Sequence, residues 1–117
     1  MLFKYKKVYE KIAMGLLSFM PESKEIKVLQ HMIKQYETEE NWFLYLWKED
    51  DDFVGVVGII VVDNTLLVQH LSVNPSHRNQ GIATRMIESI CNSYKECSME
   101  ATELTKPFID TISLSKA

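Results

Sequence analysis

The stretch from Leu66 to Ile90, LLVQHLSVNPSHRNQGIATRMIESI, constrains the fold more than any other part of the chain. Leu66 to Val73 is apolar and β-branched enough for a buried strand. Pro75 has no N–H for a ladder, and the residue before a proline avoids the helical region, so the strand stops near Asn74. A helix then starts around Gln80 or Gly81. Ile82, Met86, Ile90 and Ala83, Ile87, Cys91, Tyr94 form its apolar stripe, and Thr84, Arg85, Glu88, Asn92 and Lys95 take the other face. Between strand and helix lies Arg78-Asn79-Gln80-Gly81-Ile82-Ala83, an R-x-x-G-x-A run.

The first-turn N–H groups of such a helix have no internal partners, and with the helix dipole they favour an anion. Gly81 removes a side chain where a phosphate would approach, and Arg78 and Arg85 add positive charge. A pyrophosphate fits this chemistry, and coenzyme A has one. The plain alternative is a basic strand-to-helix turn in an ordinary α/β domain, with Gly81 easing tight packing. The run gains specificity from its context: it follows V-x-P and joins a credible strand to an amphipathic helix.

A chain of 117 residues has room for one core, so residues 1–117 are expected to form a single domain. With 46% hydrophobic and 25% charged residues it reads as globular, and a net charge of −3 argues against a general nucleic-acid binder. No apolar run is long enough to span a membrane, and Lys4, Lys6 and Lys7 interrupt any signal-peptide start. The expectation is a cytoplasmic protein with neither a membrane nor a nucleic-acid partner. Cys91 and Cys97 read as reduced thiols, outside any metal-type cluster.

Met1 to Tyr5 suits a short first strand. Val8, Ile12, Leu16, Phe19 and Tyr9, Ala13, Leu17, Met20 give a helix with a wide apolar face, ended by Pro21. Ser23 caps a second helix whose stripe is Ile26, Leu29, Ile33 and Tyr36. His31 reads as a surface residue, because no His or Cys stands at ligand spacing. Trp42 to Lys48, apolar on both faces, is a central strand. The acidic turn Glu49 to Asp52 is a solvated hairpin tip rather than a calcium loop. Phe53 to Val62 is the third strand, in which Gly55 and Gly58 mark a bulge or a close approach. Asp63-Asn64-Thr65 turns the chain back. Ser98 to Glu103 is the fifth strand, and Thr105 to Leu114 a last helix with Thr105 as cap, Pro107 in its first turn, and Phe108, Ile109 and Ile112 facing the sheet. Short turns force strands two to four antiparallel, whereas the helix after the fourth permits a parallel crossover. The fold class is therefore α/β with a mixed sheet, in the order β-α-α-β-β-β-α-β-α.

That order, together with the loop Arg78 to Ala83, resembles the GNAT acetyltransferase superfamily over nearly the whole chain. Within it, KIAMGLLSFMP (Lys11 to Pro21), LWKEDD (Leu46 to Asp51) and SVNPSHRNQGI (Ser72 to Ile82) resemble the short RibT proteins encoded with riboflavin-biosynthesis genes. The resemblance implies acetyl-CoA as acyl donor and a primary amine, of a small metabolite or a protein, as acceptor. It implies that the fourth and fifth strands splay and that the pantetheine arm pairs with free backbone at Leu71 and Val73. The backbone from Arg78 through Asn79, Gln80, Gly81, Ile82 and Ala83 to Thr84 would wrap the pyrophosphate. Thr105 falls where many members have an asparagine that touches the cofactor arm. Larger members continue into two more strands; an end at Ala117 implies an open acceptor face and an unprotected fifth-strand edge, open to a second copy of the chain.

Acetyl transfer to an amine needs a base or water relay for the amine's proton, a donor for the oxygen that gains charge, and a proton or solvent for the leaving thiolate. A free N–H near Leu71 or Ser72 suits the second role. Glu100 matches a glutamate that some members carry on the fifth strand; it is a base or a plain surface acid. Glu103 is a second candidate. His70 is a third, unless it is a packed or hydrogen-bonded core histidine on the face opposite Leu71 and Val73. His77 touches phosphate or only water. The tyrosine that many members place after the fifth strand is replaced by Ile112. A non-catalytic CoA-binding regulatory module is the alternative function.

Overall fold

The computed structural model describes residues 1–20 and 25–110. The elements are β1 (Leu2–Lys4), α1 (Glu10–Leu17), α2 (Ile26–Thr38), β2 (Trp42–Glu49), β3 (Asp52–Val62), β4 (Thr65–Val73), α3 (Ile82–Ser93) and β5 (Ser98–Ala101). Residues 106–110 are helical. The strands form one sheet in the order β1-β2-β3-β4-β5, antiparallel except for the parallel pair β4–β5. This is the expected mixed α/β architecture. The Pro21 stop, the Ser23 cap, Ile112 and the end of the last helix lie outside the described residues.

The hairpins follow from turn chemistry. Asp63 (φ 48°) and Asn64 (φ 64°) both take the left-handed region between the paired residues Val62 and Thr65. Two residues at positive φ give the twist that adjacent antiparallel strands need. Asp50 (φ 54°) does the same in the acidic turn between β2 and β3.

Two apolar layers flank the sheet. Ile82, Met86, Ile87 and Ile90 of α3 pack on one face, and Leu16, Leu17, Leu29 and Ile33 of α1 and α2 pack with Leu44, Leu46 and Val56 on the other. Strand β2 serves both layers, as its two-sided apolar text requires.

Three local expectations change. The first helix is shorter than its apolar text: Lys7–Tyr9 form a 3-10 turn, and Val8 and Ile12 are exposed with Phe19. A helix lying on a sheet buries one stripe, here Ala13, Leu16 and Leu17, so the remaining apolar positions face out. Strand β5 ends at Ala101 rather than Glu103. Thr105 holds the position before the helical residues, its carbonyl accepting from the Ile109 N–H at 3.1 Å, but its hydroxyl does not cap them. Thr102 braces the preceding turn: its carbonyl accepts from the Lys106 N–H at 2.8 Å and its hydroxyl accepts from the Thr105 N–H at 3.3 Å. The Thr105 hydroxyl in turn accepts from the Thr102 N–H at 3.1 Å, so the brace is reciprocal.

One irregularity positions the site. In the β3–β4 ladder Gly58 pairs with His70 but Ile59 pairs with Val68, so Gln69 is an extra residue in β4. Leu66, Val68, Leu71 and Val73 all join the α3-side layer, although simple alternation would send the last two to the other face.

Candidate active site

The site begins where β4 loses its neighbour. Strand β5 pairs with β4 from Thr65 to Val68 and no further, while β4 runs on to Val73. At the last rung Thr105, fully buried, donates its hydroxyl proton to the Val68 carbonyl at 2.7 Å. The chain after β5 is thereby tied down at Val68 and turned away, leaving a gap beside Gln69 to Val73. The N–H of Asn74 bonds the Val54 carbonyl of β3 at 2.7 Å. By strand alternation the N–H groups of Leu71 and Val73 point away from β3, into the gap.

The gap opens into a groove of about 380 Å³ that runs to the start of α3. Its polar end is the loop from His77 to Thr84, every residue of which lines it except Gln80. Asn79 (φ 66°) and Gly81 (φ 76°) both take left-handed backbone there, and no side chain caps α3. A Cβ on Gly81 would meet no atom within 4 Å, so this position faces open space. Arg78 is held against the strand end, its Nε donating to the Val73 carbonyl at 3.2 Å. Arg85 spans two partners: it donates to the Gln80 carbonyl of the loop at 3.4 Å and pairs with Glu49 at 2.9 Å, 5.9 Å from the centre of the Trp47 ring. The groove's apolar lining includes Phe19 and Met20, just after α1, and Leu104 and Phe108. Leu71, Ser72 and Val73 form its floor, and the Ser72 hydroxyl is buried there without a hydrogen-bond partner among the described residues. A buried hydroxyl without a partner is a cost that a polar ligand would remove. An uncapped helix start, a free strand edge and an orphaned hydroxyl together fit a ligand with an anionic head and an amide-bearing arm, such as a coenzyme A thioester.

A second recess adjoins the first at Leu104, which lines both; its other residues are Gln69, His70, Thr102 and Glu103. Among the base candidates, His70 and Glu103 therefore share a recess. Glu100 is exposed on β5, paired with Leu67 short of the gap, and lines neither recess. His70 is buried on the face opposite Leu71 and Val73, with its Nδ1 2.6 Å from the Tyr36 hydroxyl oxygen. Burial pushes its pKa down to about 4 and the Tyr36 phenol well up. Tyr36 reaches it across Gly58, where a Cβ would overlap the phenol. His77 lines the groove, with Nδ1 3.1 Å from the Ser76 hydroxyl. His31 is exposed on α2.

Sequence reasoning did not single out Gln69, Leu104, Phe19 or Met20 as parts of the site. Among the described residues there is no cluster of acidic, His or Cys side chains that could hold a metal ion, and no helix long and apolar enough to cross a membrane.

Comparison with known proteins agrees with this geometry. The sequence matches the acetyltransferase (GNAT) family over residues 10–111. A Bacillus methanolicus protein named as an uncharacterized N-acetyltransferase in the lysA 3′ region is 50% identical over 111 residues, which is 94% of this chain and 92% of that one. The fold is similar to aminoglycoside N-acetyltransferase AAC(6′)-Iy, solved with CoA, at a TM-score of 0.76 and 13% identity, covering 99% of this chain and 84% of that chain. It is also similar to a GNAT family acetyltransferase from Elizabethkingia anophelis with acetyl-CoA bound, at a TM-score of 0.63 and 23% identity, covering 81% of this chain and 57% of that chain. With β4 running on past the end of β5, an uncapped helix start and a matched family sequence, the chain belongs to the acetyltransferase (GNAT) family.

Proposed function

We propose that the protein transfers the acetyl group of acetyl-CoA to a primary amine, working as one N-acetyltransferase domain over residues 1–117 in the cytoplasm. The observation that carries this reading is the end of β4–β5 pairing at Val68, which opens a groove leading to the uncapped start of α3.

Bound acetyl-CoA would supply an activated thioester whose acetyl group an amine nitrogen can take, with loss of one amine proton and release of a thiol. The backbone N–H groups from Gly81 to Thr84, with Arg78 beside them, would hold the pyrophosphate. Leu71 and Val73 would offer strand-like hydrogen bonds to the arm, and the Ser72 hydroxyl would find its missing partner there. The Leu71 N–H is the donor proposed for the oxygen that gains charge. Glu103, exposed at the second recess, would pass the amine's proton to water.

The exposure of Glu100 and Glu103 favours a second reading, a regulatory module that binds CoA without turning it over. Thiol release from acetyl-CoA in the presence of n-butylamine, spermidine and a lysine peptide separates the two. Acceptor-dependent release supports transfer; binding without release supports the module. A narrower acceptor, an amine of riboflavin metabolism, rests on the RibT-like text alone and is tested with amines of that pathway in the same assay. We also propose that the outer edge of β5, which pairs only with β4 among the described residues, takes up a second copy of the chain. Light scattering that finds a monomer at high concentration overturns this.

A further inference from the structure

His70 and Tyr36 form a pair with only one hydrogen bond between them. The Tyr36 oxygen lies 2.6 Å from His70 Nδ1, and neither group has another hydrogen-bond partner among the described residues. Tyr36 is buried, packed 5.2 Å from the Trp42 ring and 5.7 Å from the His70 ring, centre to centre. It lies so close over Gly58 that no side chain fits there. The hydrogen bond can run in two ways. If Nδ1 carried the imidazole proton and donated it, the phenol would keep a buried O–H with nothing to receive it, a costly state. If Tyr36 donates, its one proton is used, Nδ1 accepts, and the imidazole proton sits on Nε2. Nε2 belongs to the ring edge opposite Nδ1 in a residue that lines the second recess, beside the point where the two recesses meet at Leu104.

We infer that Tyr36 is a positioning residue that fixes His70 as an Nε2–H donor, so that His70 meets the acyl group as a hydrogen-bond donor and does not take the amine's proton. Which atom His70 serves rests on the acetyltransferase reading; the state of its ring does not. No proton is transferred in this role. His70 keeps its Nε2–H and lends it to the oxygen that gains negative charge, alongside the Leu71 N–H. The amine's proton leaves by Glu103 or water. Burial agrees with the assignment, since it keeps the imidazole uncharged at neutral pH. The glycine at position 58 is accounted for as well, as the space that lets Tyr36 reach His70 from α2.

Ring-nitrogen NMR on the ¹⁵N-histidine-labelled protein, without ligand at pH 7, tests the assignment directly. The expected spectrum shows His70 with Nε2 protonated and Nδ1 bare, and Tyr36→Phe turns this fixed tautomer into a mixture. A protonated Nδ1 with a bare Nε2 overturns the inference. A second arm uses acetyl-CoA with whichever of n-butylamine, spermidine or a lysine peptide the native protein acetylates. His70→Gln, which keeps an N–H donor and cannot act as a base, is expected to stay within about tenfold of native kcat, while a folded His70→Leu loses about 10²-fold. Equal losses in both variants defeat the donor role. A native protein that acetylates none of these amines defeats the acetyltransferase reading and the acyl role with it, and the NMR result then stands alone on the tautomer.

Discussion

The Thr105 hydroxyl and the Val68 carbonyl meet at 2.7 Å on the last rung of the β4–β5 ladder. The bond joins two features that the sequence sets 37 residues apart. It closes the paired part of the two strands, and it fixes where the gap begins. The same Thr105 oxygen accepts from the Thr102 N–H and so helps start the last helix.

Thr105→Val keeps the shape and removes the hydroxyl. It leaves the buried Val68 carbonyl and the Thr102 N–H without their partner. A loss of about 1–3 kcal/mol is expected in urea unfolding at pH 7. Faster amide exchange at Ala101 and Thr102 than in the native protein is expected as well. Native stability in the variant would show that the gap is held open by something else.

Gly58→Ala places a methyl group where the Tyr36 phenol lies. Tyr36 must then move, at a cost of about 1–3 kcal/mol. The same substitution in a Tyr36→Ala background is expected to cost much less, because the obstructing ring is gone. A double-mutant cycle from thermal or urea unfolding measures this coupling. Additive costs would mean that the close approach has no energetic weight.

Ser72→Ala removes a buried hydroxyl that has no partner among the described residues. The protein without ligand is expected to gain up to about 1 kcal/mol in stability, while affinity for CoA falls severalfold. Opposite signs in the two measurements identify a group kept for the ligand. Equal CoA affinity in native and variant protein would remove Ser72 from the site.

Stability should fall in mild acid through His70. Its folded pKa is about 4 against 6.5 for an ordinary histidine, because burial disfavours the charged ring. Between these values the unfolded chain binds the proton and the folded protein does not, so stability declines as pH falls from about 6.5 to about 4. The total loss is about 3 kcal/mol, and below that window this residue adds no further slope. Tyr36 stays protonated throughout, and a Glu103→Gln control covers the acid that lines the same recess. Urea unfolding at pH 7.0 and 4.5, with His70→Leu as the reference that lacks this slope, checks the assignment.

Much of this was legible in the text of the chain. Pro75 stops β4, the 3.6-residue stripe from Ile82 to Ile90 gives α3, and Gly81 marks the turn between them, because each acts through local backbone chemistry. The wide apolar text of the first helix misled, since it does not say which stripe the sheet will cover; Val8 and Ile12 ended outside. The bulge at Gln69 leaves no mark in its own strand; its sign is Gly58 on the facing strand, read as a bulge or a close approach and found at both. Thr105 was legible as the residue before the last helix, but the bond from its hydroxyl to Val68 was not, because that partner lies 37 residues away on another strand. Tyr36 and His70 lie 34 residues apart on different elements, and nothing short of the fold brings them together.

The central claim is that the groove from Leu71 to the start of α3 holds acetyl-CoA. Calorimetric titration of acetyl-CoA and of CoA into the native protein tests it most directly, with Gly81→Glu as control. That substitution puts a side chain and a negative charge into the open space at the helix start, at a backbone position of φ 76°. Saturable binding to the native protein, lost in a folded Gly81→Glu variant, is the predicted result. No heat of binding at millimolar acetyl-CoA, or equal binding by the two proteins, would contradict the account.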